Sequence, residues 1–166
     1  MRLLTKSFIL IALLVAVSGC SNKFRTYNGP EVTRLVILKS ERKLYLLHGK
    51  KALKSYDIDL GFAPVGDKKQ QRDGKTPEGS YFINRRNPDS AYHLSIGISY
   101  PDAQDRAEAQ RLGVNPGGDI FIHGGPTLFR DRNRADWTWG CIAVSNREME
   151  QIYAMVKDGT QIDIHP

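Results

Sequence analysis

Cysteine is nearly absent from this chain: two in 166 residues, at positions 20 and 141, are too few for the disulfide framework of a small stapled fold. Two thiols are also too few for a thiolate metal site, and the four histidines (48, 93, 123 and 165) lack ligand-type spacing, so no metal and no cofactor is expected. Aromatic residues are 9% of the chain and show no interleaving with basic ones, which excludes nucleic acid as an expected partner. Apolar runs of membrane-spanning length are missing too. The run Phe8 to Val17 has ten residues, about half of what a bilayer crossing needs. No internal repeat is present.

What is there begins with that short run. Arg2 and Lys6 precede it and Ser18-Gly19-Cys20 closes it, the pattern of a cleaved secretory signal. Val17-Ser18-Gly19-Cys20 resembles the lipobox of bacterial lipoproteins, which implies that Cys20 is diacylated, becomes the new N-terminus and is then N-acylated. Several acyl chains, each buried methylene contributing roughly 0.8 kcal/mol, would hold the protein stably on a membrane. Ser21, where Asp would be an inner-membrane mark, implies by the same resemblance the periplasmic face of the outer membrane. Residues 1–19 are thus expected as the signal peptide, 20–31 as lipid anchor and tether, and 32–166 as one domain long enough to bury its own core. The net charge of +6 falls to +4 when Arg2 and Lys6 leave with the signal, a scattered surplus compatible with an anionic polymer. If Cys20 carries lipid, Cys141 has no disulfide partner within the chain. A lone thiol in an oxidising compartment is either a buried inert group or a functional one.

Short β-rich segments dominate the remainder: Leu35 to Leu38, Lys43 to His48, Leu53 to Leu60, Ser80 to Ile83 and Tyr92 to Ile96, with a hairpin turn at His48-Gly49-Lys50-Lys51. In the third segment Tyr56, Ile58 and Leu60 share one face. Gly61 to Gly79 carries too much Gly, Pro, Lys and Asp for a strand. Ala103 to Leu112, between Pro101-Asp102 and Gly113, reads as a short helix. Asp119 to His123 is a strand that stops at Gly124-Gly125-Pro126, Gly140 to Val144 is another, and Ser145 caps a helix from Arg147 to Lys157 with Met149, Ile152, Tyr153 and Val156 on one face. Thr160 to Ile164 is a last strand.

His123 at a strand end beside a flexible turn is well placed for chemistry, and Cys141 follows it by 18 residues within Thr138-Trp139-Gly140-Cys141. These residues, with Lys75-Thr76-Pro77-Glu78-Gly79-Ser80-Tyr81 and the opening pair of strands, resemble the YkuD-type L,D-transpeptidase catalytic domain family over roughly residues 33–165. Tyr92-His93-Leu94-Ser95 and Trp137 to Val144 are more similar to its YafK-like branch. The resemblance implies a mainly β, L,D-transpeptidase-like β-sandwich with a C-terminal helix. It implies Cys141 as nucleophile, His123 as base, and the Gly124 carbonyl as the group that orients the imidazole. A neighbouring imidazole lets a thiol of ordinary pKa ~8.5 react as a thiolate. The amides of Gly140 and Cys141 are candidates for an oxyanion hole worth on the order of 3 kcal/mol per donor. The implied substrates are peptidoglycan stem peptides, attacked at meso-diaminopimelate, or a protein linked to peptidoglycan.

Thr138 is expected to position the loop and, with Trp139, to be among the substrate-binding residues, while Trp139 and Trp137 are to wall the groove or to pack beneath it. Arg130, Arg132 and Arg134 are either clamps for substrate carboxylates or a solvated loop surface. The sequence departs from the family at Ala143, two residues past the cysteine, where many transpeptidases have Arg or Asn. That departure turns the expectation from crosslinking toward hydrolysis, with true transpeptidation as the alternative and a non-catalytic peptidoglycan-binding lipoprotein as the reading from another class.

Overall fold

The structure, a computed structural model, describes residues 23–128, 131 and 133–166. Among these residues eight strands and two helices follow in the order β1 Arg34–Leu38, β2 Lys43–His48, β3 Lys51–Asp57, β4 Gly79–Asn87, β5 Ser95–Ile98, α1 Ala103–Leu112, β6 Phe121–His123, β7 Ile142–Ala143, α2 Asn146–Met155 and β8 Gln161–His165. The strands form one curled sheet in the order β3-β2-β1-β8-β4-β5-β6-β7. The C-terminal strand β8 therefore lies near the middle, parallel to β1 (Val36 opposite Asp163) and antiparallel to β4.

The curl has a local cause. The first part of β4, Gly79–Phe82, pairs with β8, while Ile83–Asn87 pairs with β5 across a register shift between Ile83 and Arg85. Such a bulge bends the strand and lets it pass from one half of the sheet to the other. The far edges then meet: the Asp59 and Ala143 backbones exchange hydrogen bonds of 2.9 and 2.8 Å, and Gly61 bridges to Thr138. Alternating apolar residues supply a shared interior, with Leu35, Ile37, Leu44 and Leu46 from one half and Ile96, Ile98 and Ile122 from the other all fully buried. Each such side chain contributes about 1.5–3 kcal/mol on leaving water. The expected buried face of Tyr56, Ile58 and Leu60 is present, although the strand itself ends at Asp57.

The helices are held differently. In α2 the Ser145 side chain accepts from the Glu148 amide, the Glu148 carboxylate returns the bond to Ser145, and Met149, Ile152 and Met155 are buried against the sheet. In α1 only Ala109 is buried, so its stability rests on the Asp102–Asp105 capping box and on Gly113, which closes the helix in the left-handed region at φ 69°.

Three strand expectations need correction. Residues 92–94 turn instead of extending, and β5 begins at Ser95, because the Gly124 amide donates to the carbonyls of both Tyr92 (3.1 Å) and Leu94 (3.3 Å) and wraps that stretch around the end of β6. His93 takes a left-handed φ of 73° to make this turn. The strand expected from 119 starts only at Phe121, since Asp119 is also left-handed (φ 56°). The one expected from 140 to 144 shortens to Ile142–Ala143, since Gly140 has φ 121°.

Candidate active site

β6 and β7 are parallel neighbours, with His123 opposite Ala143 and Ile122 opposite Ile142. This pairing carries His123 at the end of one strand and Cys141 at the start of the next to a common hollow of about 700 Å³. His123 is 4% exposed, and its Nδ1 shares a 2.7 Å hydrogen bond with the carbonyl of Gly124, the partner the family resemblance implied. A carbonyl can only accept, so Nδ1 carries the proton and Nε2 is the free base. Tyr92 stacks on the imidazole with centroids 4.5 Å apart, and Trp137 meets it edge-on at 5.6 Å. Burial pushes the His123 pKa below its ordinary value, against the pull of the Gly124 carbonyl.

Cys141 is half-buried. Its thiol donates to the Asp119 carbonyl at 3.6 Å, and burial raises its pKa, with Asp119 adding to the rise and Lys68 opposing it. Burial thus shifts both groups toward their neutral forms, and both line the same hollow.

Thr138 fastens the turn that presents the thiol. Its hydroxyl donates to the Cys141 carbonyl at 2.7 Å and accepts from the Gly140 amide at 3.1 Å. Thr138 is 3% exposed and positions the loop through these bonds, at the border of the large hollow. The Gly140 amide, one of the two expected oxyanion-hole donors, thus has a partner within the turn. Gly140 has no room for a side chain, since a Cβ would lie 2.5 Å from the Lys75 carbonyl oxygen. Lys75, just ahead of Thr76-Pro77, thus packs against the neighbour of Cys141. Thr76 is fully buried and accepts from the Gly61 amide, while the buried Lys39 ammonium bonds the Gly66 and Thr76 carbonyls and the Glu78 carboxylate.

The loop between His123 and Cys141 is pinned near its end. Asp136 accepts from the Arg42 guanidinium at 2.7 Å and from the Leu60 amide at 3.0 Å. Arg134 lines the large hollow; Arg130, Arg132 and Cys20 lie outside the described residues. Trp139 is 68% exposed and rests edge-on against Phe62 at the rim, whereas Trp137 is the buried wall. His93 bonds the Glu150 carboxylate at 3.0 Å and belongs to the support beneath Tyr92. A second hollow of about 450 Å³ meets the first at Asp119, Trp139 and Cys141. Sequence reasoning missed the parts played by Tyr92, Asp119 and Lys68. Only Tyr92 carried a signal, as part of the YafK-like run. Among the described residues no cluster of three or more His, Cys, Asp or Glu could hold a metal, and no helix is long and apolar enough to cross a membrane.

A cysteine and a carbonyl-oriented histidine lie at the ends of adjacent parallel strands on one hollow, inside a curled, mostly β sheet. The chain belongs to the YkuD family, described as the L,D-transpeptidase catalytic domain, whose sequence profile matches residues 32–164. YafK of Escherichia coli (strain K12), named as an L,D-transpeptidase, is 32% identical over 143 residues, covering 78% of this chain and 52% of YafK. Among solved structures, the helical cell shape determining protein Pgp2 of Campylobacter jejuni superimposes with a TM-score of 0.65 at 26% identity, covering 89% of this chain and 52% of Pgp2. Bd1075 of Bdellovibrio bacteriovorus gives 0.60 at 25% identity, with 81% and 48% covered. An L,D-transpeptidase structure at 14% identity shares the fold with a TM-score of 0.55. The chain spans about half the length of YafK and of Pgp2.

Proposed function

We propose that this protein is a cysteine enzyme of the bacterial envelope that forms a thioester with peptidoglycan stem peptides at meso-diaminopimelate and passes the acyl group mainly to water. The observation that carries the reading is the pairing of the half-buried Cys141 thiol and the buried His123, with Nδ1 fixed by Gly124, on one hollow large enough for a peptide. As substrate enters, Nε2 takes the thiol proton while sulfur adds to the carbonyl carbon, and the Cys141 amide faces the resulting oxyanion. Collapse expels the amine, which receives the proton from the imidazolium. Water, deprotonated by the same Nε2, then cleaves the thioester.

Preference for water follows from the position two residues past the nucleophile. Ala143 is 3% exposed, its backbone bound on both sides to Asp59, and its methyl brings no donor toward a second stem peptide. The substrates of such a hydrolase are peptidoglycan crosslinks or links that attach a protein to peptidoglycan. One observation favours the alternative of true transpeptidation: Arg134 lines the large hollow and supplies a cation that an acceptor carboxylate could use. The proposal places the domain at the periplasmic face of the outer membrane, held by lipid on Cys20. Incubation of purified protein with crosslinked and protein-linked sacculi, followed by muropeptide analysis, tests the reaction. Release of cleaved products is expected; new 3-3 crosslinks without release would establish transpeptidation. A non-catalytic binding lipoprotein would give neither, nor would it show selective labelling of Cys141 by a thiol probe.

A further inference from the structure

The smaller hollow contains a charge arrangement that the reaction has not used. Its lining includes Lys68 and Arg72 together with Cys141, and His123 is absent from it. A general acid must lie within hydrogen-bond reach of the amine it protonates. The leaving amine and the incoming nucleophile therefore occupy the larger hollow with His123, and the acyl half of the substrate falls to the smaller one.

Two lysines of this domain are almost fully buried, and they differ in one respect. An ammonium has three N–H donors. Lys39, 2% exposed, spends all three, on Gly66, Thr76 and Glu78. Lys68, 4% exposed, bonds two acceptors among the described residues, the Gln70 carbonyl at 3.0 Å and the Asp73 carboxylate at 2.8 Å. Its side chain lines the hollow beside Cys141, where a further acceptor can approach. Asp73 does not cancel this charge by itself, because its oxygens are shared with the amides of Lys69, Gln70 and Lys75. Arg72 adds a second cation, and the Asp119 carboxylate on the same rim is bound to Arg85 at 2.6 Å. Burying a cation costs several kcal/mol unless partners repay it. A third partner for Lys68 arriving with the substrate, an anion, completes the set.

We propose that Lys68 and Arg72 form a carboxylate subsite for the acyl half of the substrate, so that the enzyme selects acyl groups bearing a negative charge near the attacked carbonyl. This rests on the assignment of Cys141 as nucleophile, and one of its tests does not depend on turnover. Alkylation of Cys141 is compared using iodoacetate, an anion, and iodoacetamide, its neutral isostere. The ratio of the two rates cancels any change in the thiol itself. Arg72→Gln and Lys68→Met are each expected to lower that ratio by about tenfold, the worth of one charge-assisted hydrogen bond. In parallel, kcat/KM is measured on a stem tetrapeptide with the distal diaminopimelate carboxylate free or converted to its carboxamide, and the variants should lose the wild-type preference for the free acid. A fall of the alkylation ratio in either variant supports the subsite even if no peptide is turned over, which would count against the peptidase reading alone. An unchanged ratio in both variants overturns it. Arg72 is exposed, so its variant decides alone should Lys68→Met fail to fold.

Discussion

Gly140→Ala isolates the backbone geometry that presents the nucleophile. The added methyl would lie 2.5 Å from the Lys75 carbonyl oxygen, and the backbone stands at φ 121°, where side chains are strained even in open space. Gly49→Ala is the matched control: that residue also has positive φ (56°), yet its methyl would meet nothing within 4 Å. The control should lose only the left-handed penalty, about 1 kcal/mol, while Gly140→Ala carries an eclipsed backbone cost of about 1–3 kcal/mol plus the clash. For a domain of this size each kcal/mol lowers Tm by roughly 2–4 °C. Thermal melts should therefore separate the two variants, and the Cys141 alkylation rate should change only in Gly140→Ala, because displacement of Lys75 or of the 138–141 turn moves the thiol. Equal melts and equal thiol reactivity in the two variants would refute the claim that the contact with Lys75 braces the nucleophile.

Burial lowers the His123 pKa and raises that of Cys141, so kcat/KM should hold a plateau from below pH 6.5 to above pH 8.5, and at pH 7 alkylation by iodoacetamide should run at no more than about 3% of its alkaline limit; full-rate alkylation at pH 5 would show a resting thiolate–imidazolium pair instead. The same shifts govern stability: His123 is neutral when folded and contributes stability that is complete above its unfolded pKa and lost as pH falls through the lower folded value, while Cys141 contributes stability lost as pH rises through its raised folded value. Melts in His123→Ala should lose the His123 part of the acid limb, while the part from Asp73 and Asp163, whose pKa values are also lowered, remains. Thr138→Val leaves the Gly140 amide and the Cys141 carbonyl without their hydroxyl partner and should cost about 1–3 kcal/mol of stability together with kcat, read by melts and turnover. Cys141→Ala and His123→Ala should each abolish turnover, the first with a near-native melt and the second with a lowered Tm because a buried ring packed on Tyr92 and Trp137 is removed, and the double variant should turn over no less than either, as expected of groups that act as one unit.

Much of this was legible in the sequence because the signals were local. Ser145 three residues before Glu148, and Asp102 before Asp105, wrote the helix starts, and the alternation through Tyr56, Ile58 and Leu60 wrote a buried face. His123 and Cys141 stood out through strand ends and glycines. What was not legible depends on contacts far apart in the chain. Tyr92 to Leu94 have strand-like composition, but the Gly124 amide draws their carbonyls into a turn. Tyr92 reaches His123 only through that turn. Lys68 sits in a segment whose composition says loop, and its burial becomes visible only once Asp73 and the second hollow are assembled around it. The Gly140 amide was expected to be free, and the hydroxyl that occupies it lies two residues upstream, in a geometry that spacing alone does not disclose.

The proposed reaction requires that Cys141 be the acylated nucleophile. Intact-protein mass spectrometry after rapid acid quench of the protein with a meso-diaminopimelate stem tetrapeptide, followed by peptide mapping, measures this directly. The predicted result is a transient acyl adduct on Cys141, absent from Cys141→Ala and greatly slowed in His123→Ala. An adduct on another residue, or turnover retained in Cys141→Ala, would contradict the account.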